Sequence, residues 1–403
     1  MSVVIIGAGH AGVNVAFSLR KRKYSKPIYV LGDEREIPYS RPPLSKSTLI
    51  AELPKPEFLY GEEAYKDKDI LLHLDAAVSK IDLENNKVFV KGEAFSFDHL
   101  ILATGAAPRT LNICGSKLDG VFSIKTFQDA QRFSEGITDA KRLLVIGAGY
   151  VGLEVAAALN REGVNVCVTE AGERCMARTA SPELSNYVES LHTKNGIEFR
   201  FSAQVDEIIG ENGHVSGARL KSGELIQTDA IIVAIGSEPN TDLAEDIGLE
   251  VDRGILTKND TCTSISNVYA IGDCARAALD DNAAIRLESI HNAIETADIC
   301  AANITQQELP IKETPWFWSD QLPYNLKMVG ITSDKSERLI RYDMDKKSYA
   351  VFHFADGKLL AAETVDMPRA YMFARKVMRS ELSVKRELVS SLDVDFKDLI
   401  VAS

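Results

Sequence analysis

The stretch VVIIGAGHAG, Val3 to Gly12, joins a four-residue apolar run to a glycine-rich turn, and LLVIGAGYVG repeats it from Leu143 to Gly152. The glycines keep the G-x-G-x-x-G spacing in both: Gly7, Gly9 and Gly12, then Gly147, Gly149 and Gly152. Small residues there permit a tight turn, close backbone approach to a pyrophosphate and tight packing of helix on strand. The helix that follows offers its N-terminal N–H groups to the phosphates. One such pattern ends many buried strands by chance. Two, each leading into an alanine-rich amphipathic stretch, read as a repeated nucleotide-binding unit.

The rest of each copy supports that reading. LILATGAAPR (Leu100–Arg109) and IIVAIGSEPN (Ile231–Asn240) share an apolar strand followed by glycine and proline. A repeat of about a hundred residues is implied, with two dinucleotide-binding domains of similar build. In the first copy Ile28–Leu31 is a short strand followed by Gly32, Asp33 and Glu34, near where a dinucleotide fold places the carboxylate for the adenosine ribose. Asp33 is the first candidate and Glu34 the second. In the second copy Val164–Thr169 is the equivalent strand, and Glu170 at its end can accept hydrogen bonds from both ribose hydroxyls and repel a 2'-phosphate. Arg174 and Arg178 follow it and offer the opposing possibility of a 2'-phosphate contact.

PYSRPPLSK (Pro38–Lys46) reads as an ordered loop leading into a helix, because its three prolines exclude a strand. Val78–Leu83 and Lys87–Val90 form a small antiparallel excursion. NVYAIGDCA (Asn267–Ala275) holds another apolar strand, ending in Gly-Asp, and RLESIHNAIETADICAANI after it is a helix. Beyond Pro315 short alternating strands are expected at Leu326–Ile331, Leu339–Tyr342, Tyr349–Phe354 and Leu359–Val365, before a basic amphipathic helix at Pro368–Glu381.

The 403 residues are 45% hydrophobic, with a net charge of -12. That field favours neither nucleic acid nor an anionic membrane as partner. Six cysteines form no C-x-x-C pair, which suits reduced thiols. No charged leader precedes the first strand and no apolar run approaches membrane-span length, so a cytoplasmic location is expected.

GAGHAG, RPPLSK, LILATGAAPR, VIGAGYVGLE, YAIGDCA, RLESIHNA and PWFWSDQ stand in the order of a known family. The chain resembles the NADH-dependent ferredoxin reductases of the putidaredoxin reductase type, which serve haem monooxygenases and ring dioxygenases. PWFWSDQ discriminates best, since the other motifs recur in glutathione reductase-like enzymes generally. The resemblance implies an α/β fold: two Rossmann-like, glutathione reductase-like dinucleotide-binding domains and a C-terminal α+β domain with an antiparallel sheet. FAD is assigned to residues 1–108 and 233–311, NADH to 109–232, and the C-terminal domain to 312–403.

The same resemblance carries roles to single residues. Lys46 matches a lysine near flavin N5, and Glu154 matches its carboxylate partner; a paired lysine stays charged where a lone one is costly to bury. Trp318 is placed beside the isoalloxazine, and Asp273 against the ribitol, with a helix N-cap as its ordinary alternative. The helix starting near Ser289 aims its positive end at the flavin, at Ile290. Ala11, Arg41, Val78, Thr104 and Gly105 complete the FAD set, and Gly236 joins Gly147, Gly149, Gly152, Glu154 and Glu170 on the nicotinamide nucleotide. Lys125 stands where relatives often have an FAD-contacting arginine. No metal is implied.

The first cysteine is Cys114, so the loop that carries a redox thiol in disulfide and peroxide reductases holds RPPLSK instead. What remains is hydride uptake from NADH and release of single electrons to a 2Fe-2S ferredoxin. Arg369, Arg375, Lys376, Arg379, Lys385 and Arg386 are the candidate docking cations for an acidic carrier. The alternatives are a rubredoxin reductase and a redox-sensing binding protein like apoptosis-inducing factor.

Overall fold

The computed structural model describes residues 2–51, 54–280 and 283–401. The chain divides into two compact units. One comprises Met1–Ser40, Pro56–Ala107 and Ser237–Lys312, the other Arg41–Lys55, Pro108–Gly236 and Glu313–Ser403.

The first unit is built on a parallel sheet in the order Val268–Ala270, His99–Leu102, Val3–Ile6, Ile28–Leu31, Ile70–His73. Its central strands are unbroken apolar runs because both faces are covered. Val3, Ile5, Val30 and Ile101 pack against the helices His10–Lys21 and Ile290–Ile304. Val4, Ile6, Leu31, Leu100 and Leu102 share a core on the opposite side with Val88 and Phe95 of the antiparallel sheet Val78–Asp82, Lys87–Val90, Glu93–Ser96. Burying each such side chain contributes about 1.5–3 kcal/mol.

The second unit repeats the design. Glu198–Arg200, Asn165–Thr169, Arg142–Ile146, Ala230–Val233 and Val121–Phe122 form its parallel sheet, and the helix Tyr150–Arg161 follows the glycine turn. The two registers correspond: Ile6 pairs with Leu31 and Leu102, Ile146 with Thr169 and Val233. The unit also holds an antiparallel sheet in the order Trp316–Gln321, Tyr324–Gly330, Lys358–Val365, Ser348–Ala355, Glu337–Asp343. The helix Pro368–Arg379 covers it, seating Tyr371, Phe373 and Val377 on Phe352, Phe354 and Ala362.

Three local expectations change. RPPLSK leads into no α-helix; Pro42–Ser45 is a 3-10 turn in which Leu44 N bonds Arg41 O and Lys46 N bonds Pro43 O. Cys274 starts no helix either: Gly272–Cys274 is a 3-10 turn and Ala275–Asp280 is a strand. The N-cap alternative for Asp273 falls with it. The C-terminal sheet gains the strand Trp316–Gln321 at its edge.

The glycine turn yields the first test. A Cβ on Gly12 would lie 1.9 Å from the backbone oxygen of Gly7, whereas one on Gly9 meets nothing within 4 Å. Gly12→Ala is therefore expected to destabilise the apoprotein by about 1–3 kcal/mol, and Gly9→Ala by less than about 0.5 kcal/mol. Urea denaturation midpoints of the two variants measure the contrast.

Candidate functional site

Both glycine turns have the shape a pyrophosphate needs. Gly7 and Gly147 adopt φ values of +109° and +106°, and a Cβ on either would strike the backbone oxygen of Ala103 at 2.2 Å or of Ala234 at 2.4 Å. Only glycine fits. Gly152 repeats the crowding of Gly12, 2.2 Å from the oxygen of Gly147. Gly9 and Gly149 are the N-caps of their helices, with no side-chain cap bond and open space where a Cβ would stand. Neither helix start is closed by an N-cap side chain, and each glycine leaves room for a ligand, which fits the phosphates of two dinucleotides.

The acids after the second strands differ between copies. Glu170 Oε2 accepts from Ala148 N and Oε1 from Gly172 N, both at 2.8 Å. The carboxylate is thereby fixed against the glycine turn. Gly7 N bonds Leu31 O as Gly147 N bonds Thr169 O, so the counterpart of Glu170 in the first copy is Gly32. A Cβ there would be 2.6 Å from that of Ala8, which moves the acid further along the chain. Asp33 is exposed, and Glu34, half-buried, receives a hydrogen bond from the Tyr39 hydroxyl. Arg174 is committed elsewhere: its guanidinium bonds Ala180 O at 2.8 Å, Ser185 Oγ at 2.6 Å and Ala177 O at 3.0 Å. Arg178 has its guanidinium 3.9 Å from the Cβ position of Gly236.

Other expected residues are placed as follows. Thr104 Oγ1 donates to Asn240 O at 2.6 Å and Gly105 has φ +68°, so the end of that strand is tied down beside a left-handed turn. Asp273 sits in the 3-10 turn, its carbonyl accepting from Arg286 at 3.3 Å, and Gly272 N bonds Thr296 Oγ1 at 3.1 Å. Ile290 is the first residue of its helix, behind Ser289, whose hydroxyl accepts from Asn292 N at 3.1 Å. Ala11 is buried against Gly272, and Val78 is half-buried at the rim of the adjoining core. In the second unit Arg41 donates to Lys125 O at 2.9 Å.

A buried polar cluster surrounds Glu154. Lys46 Nζ lies 2.9 Å from Glu154 Oε2, and the two side chains are only 12% and 6% exposed. Nζ also donates to Pro42 O at 3.0 Å. Ser45 donates to the same carboxylate, and Ser319 Oγ donates to Oε1 at 2.6 Å. The prolines hold this geometry: the 3-10 turn Pro42–Ser45 buries Ser45 and ends at Lys46. Trp318 is on the other face of the strand from Ser319, 5.6 Å from the ring of Trp316. Ser45, Ser319, Gln321 and His192, which bonds Gln321, were not singled out from sequence. Only the period-two alternation of WFWSDQ hints that Ser319 and Gln321 share a face.

All six cysteines are free. Burial pushes the Cys167 thiol up to about 11 and those of Cys175 and Cys300 to about 12. These thiols are protonated at neutral pH and are poor nucleophiles.

Residues 1–297 match the pyridine nucleotide-disulphide oxidoreductase family and residues 316–400 the reductase C-terminal family. The chain belongs to the pyridine nucleotide-disulphide oxidoreductase family. It is similar to rhodocoxin reductase from Rhodococcus erythropolis, with 38% identity over 400 residues covering 98% of this chain and 94% of that one. The crystal structure of the ferredoxin reductase for the CYP199A2 system from Rhodopseudomonas palustris matches with a TM-score of 0.95 at 35% identity, over 99% of this chain and 100% of the other. The crystal structure of the covalent putidaredoxin reductase–putidaredoxin complex matches at 0.94 and 32%, over 99% and 97%. This member of the oxidoreductase family is an enzyme that uses FAD and NAD(H). Among the described residues no helix is long and apolar enough to cross a membrane.

The fixed Glu170 and the committed Arg174 lead to an expectation about the nucleotide. The kcat/KM for NADH should exceed that for NADPH by about a hundredfold or more, because setting a 2'-phosphate against a carboxylate costs several kcal/mol. Comparable values would contradict this, and Glu170→Ala should narrow the gap.

Proposed function

We propose that this chain passes reducing equivalents from NADH through FAD to an iron–sulfur ferredoxin that serves an oxygenase. The observation that carries this reading is the buried Lys46–Glu154 pair in a chain whose buried thiols are unfit as a relay. The partner's chemistry is supported by relatives named for ferredoxin-type carriers and by the complex with putidaredoxin.

FAD, when bound, supplies the conversion of one hydride into two single electrons. The chain's residues supply binding and charge. In the proposed assignment residues 1–108 and 233–311 hold FAD, with Gly7, Gly9 and Gly12 admitting the pyrophosphate, Thr104, Gly105 and Asp273 lining the remainder, and Ile290 heading a helix whose positive end suits negative charge. Residues 109–232 bind NADH through Gly147, Gly149, Gly152 and the ribose acceptor Glu170. Lys46, kept charged by Glu154, stabilises negative charge that arrives with the hydride, and Trp318 shields that centre from water. The C-terminal domain spans 312–403.

The docking surface is narrower than the run of cations suggested. Arg369 is paired with Asp395 and Arg386 with Glu337, and Lys385 donates to Asp398 O. Arg375 pairs with Glu313 at 3.1 Å and lies 5.6 Å over the Trp316 ring. Lys376 and Arg379 are exposed on the last turns of the helix Pro368–Arg379. They are the cations proposed to meet an acidic carrier.

Two experiments follow. Lys46→Met should slow FAD reduction by NADH on the order of 10²-fold, as loss of one preorganised charge donor does; stopped-flow absorbance measures it. Lys376→Glu with Arg379→Glu should raise the KM for a 2Fe-2S ferredoxin at low salt and progressively less as salt is added. A KM that does not move at any ionic strength would remove the docking assignment while leaving the flavin chemistry in place.

A further inference from the structure

Glu154 is held from the side opposite Lys46 by a chain of buried polar groups on two other elements. Ser319 and Gln321 share one face of the strand Trp316–Gln321 and are both 0% exposed; His192, on the helix Pro182–Lys194, is 1% exposed. Ser319 Oγ is 2.6 Å from Glu154 Oε1, Gln321 Nε2 is 3.3 Å from Ser319 Oγ, and His192 Nε2 is 2.8 Å from Gln321 Oε1. Among the described residues the other partner of Gln321 Nε2 is the Met176 sulfur, at 3.9 Å.

The direction of donation along this chain is forced. A carboxylate paired with an ammonium accepts only, so the single Ser319 hydroxyl proton goes to Glu154. Ser319 Oγ then has only acceptor capacity left, so Gln321 must present its Nε2 to it. That turns Gln321 Oε1 toward His192, whose Nε2 must carry the proton. Burial holds the His192 imidazole below its usual range, so the neutral ring with one N–H meets this demand. Every bond thus points at one carboxylate. The far end of the chain is the buried His192.

We propose that Ser319, Gln321 and His192 are positioning residues that lock the Glu154 carboxylate and, through it, the Lys46 ammonium. The inference rests on the role proposed above for Lys46. The partners of Glu154 divide its two oxygens between them: Oε1 belongs to Ser319, Oε2 to Lys46 and Ser45. With Oε1 released the carboxylate is held through Oε2 alone, and the counter-charge of the ammonium is less firmly fixed.

The test uses the FAD-loaded chain and two readouts. The first is the rate constant of flavin reduction by NADH in a double-mutant cycle. Ser319→Ala should lower it on the order of tenfold, the effect of one lost hydrogen bond to a charged group, and should have no further effect in a Lys46→Met background. The second readout is exchange of the Lys46 Nζ protons with solvent, followed by 15N NMR on the signal that Lys46→Met removes. Ser319→Ala and Gln321→Met should each accelerate it on the order of tenfold, although neither side chain touches Lys46. Ser336→Ala is the control: Ser336 bonds the buried His353 at 2.9 Å, and that cluster runs through Glu363 to Ser181 N without bonding Glu154, Ser319 or Gln321. It should leave the Lys46 signal unchanged.

Equal effects of Ser319→Ala in both backgrounds, or Lys46 exchange that ignores Ser319 and Gln321, would overturn the proposal and leave the role of Lys46 standing. If Lys46→Met itself fails to slow reduction, the role of Lys46 falls, and the exchange measurement alone then judges the chain.

Discussion

A buried ammonium persists only against a fixed counter-charge, and much of the second unit is arranged to meet that condition at Lys46. Leaving either member of the pair alone at this depth costs about 3–5 kcal/mol, a large share of the 5–15 kcal/mol that typically separates folded from unfolded domains. Three separate stretches converge to prevent it. The prolines before Lys46 set a 3-10 turn that presents its side chain, the helix after the second glycine turn supplies Glu154, and the edge strand Trp316–Gln321 supplies Ser319. The same helix therefore follows the second glycine turn at Gly149 and carries the carboxylate at Glu154. A change in its packing acts on both.

The two glycine turns show one backbone solution used twice in the chain. The missing Cβ atoms at Gly7 and Gly147 answer the same steric demand, with nearly equal φ and the same close carbonyl. Divergence lies in what surrounds them. Glu170 is pinned against its glycine turn by two backbone N–H groups. Gly32 at the matching register removes that carboxylate from the first copy and displaces the acids to Asp33 and Glu34.

What could be read beforehand follows from range. The glycine turns, the buried strands and the period-two strands of the C-terminal sheet are local properties, and their positions agree with the structure within a residue or two. The start of the helix at Ile290 was legible for the same reason, through its Ser289 cap. Lys46 and Glu154 lie far apart in sequence, and nothing local couples them; only a resemblance spanning both motifs does. Ser319, Gln321 and His192 join that cluster through strand-on-helix packing, which no single stretch encodes. The strand at Ala275 was hidden because Gly272 and Asp273 look like the start of a helix, and the basic face near Arg375 looked freer than it is because Glu313, Glu337 and Asp395 neutralise it from other segments.

The central claim is that electrons enter as a pair from NADH and leave singly to an iron–sulfur carrier. Anaerobic titration of the FAD-loaded chain with NADH, followed by mixing with an oxidised 2Fe-2S ferredoxin, tests it most directly. The account predicts that the flavin is bleached by an equal amount of NADH and that two ferredoxins are reduced for each NADH consumed. Flavin that NADH does not bleach, or that stays reduced in the presence of every 2Fe-2S ferredoxin supplied, would contradict it.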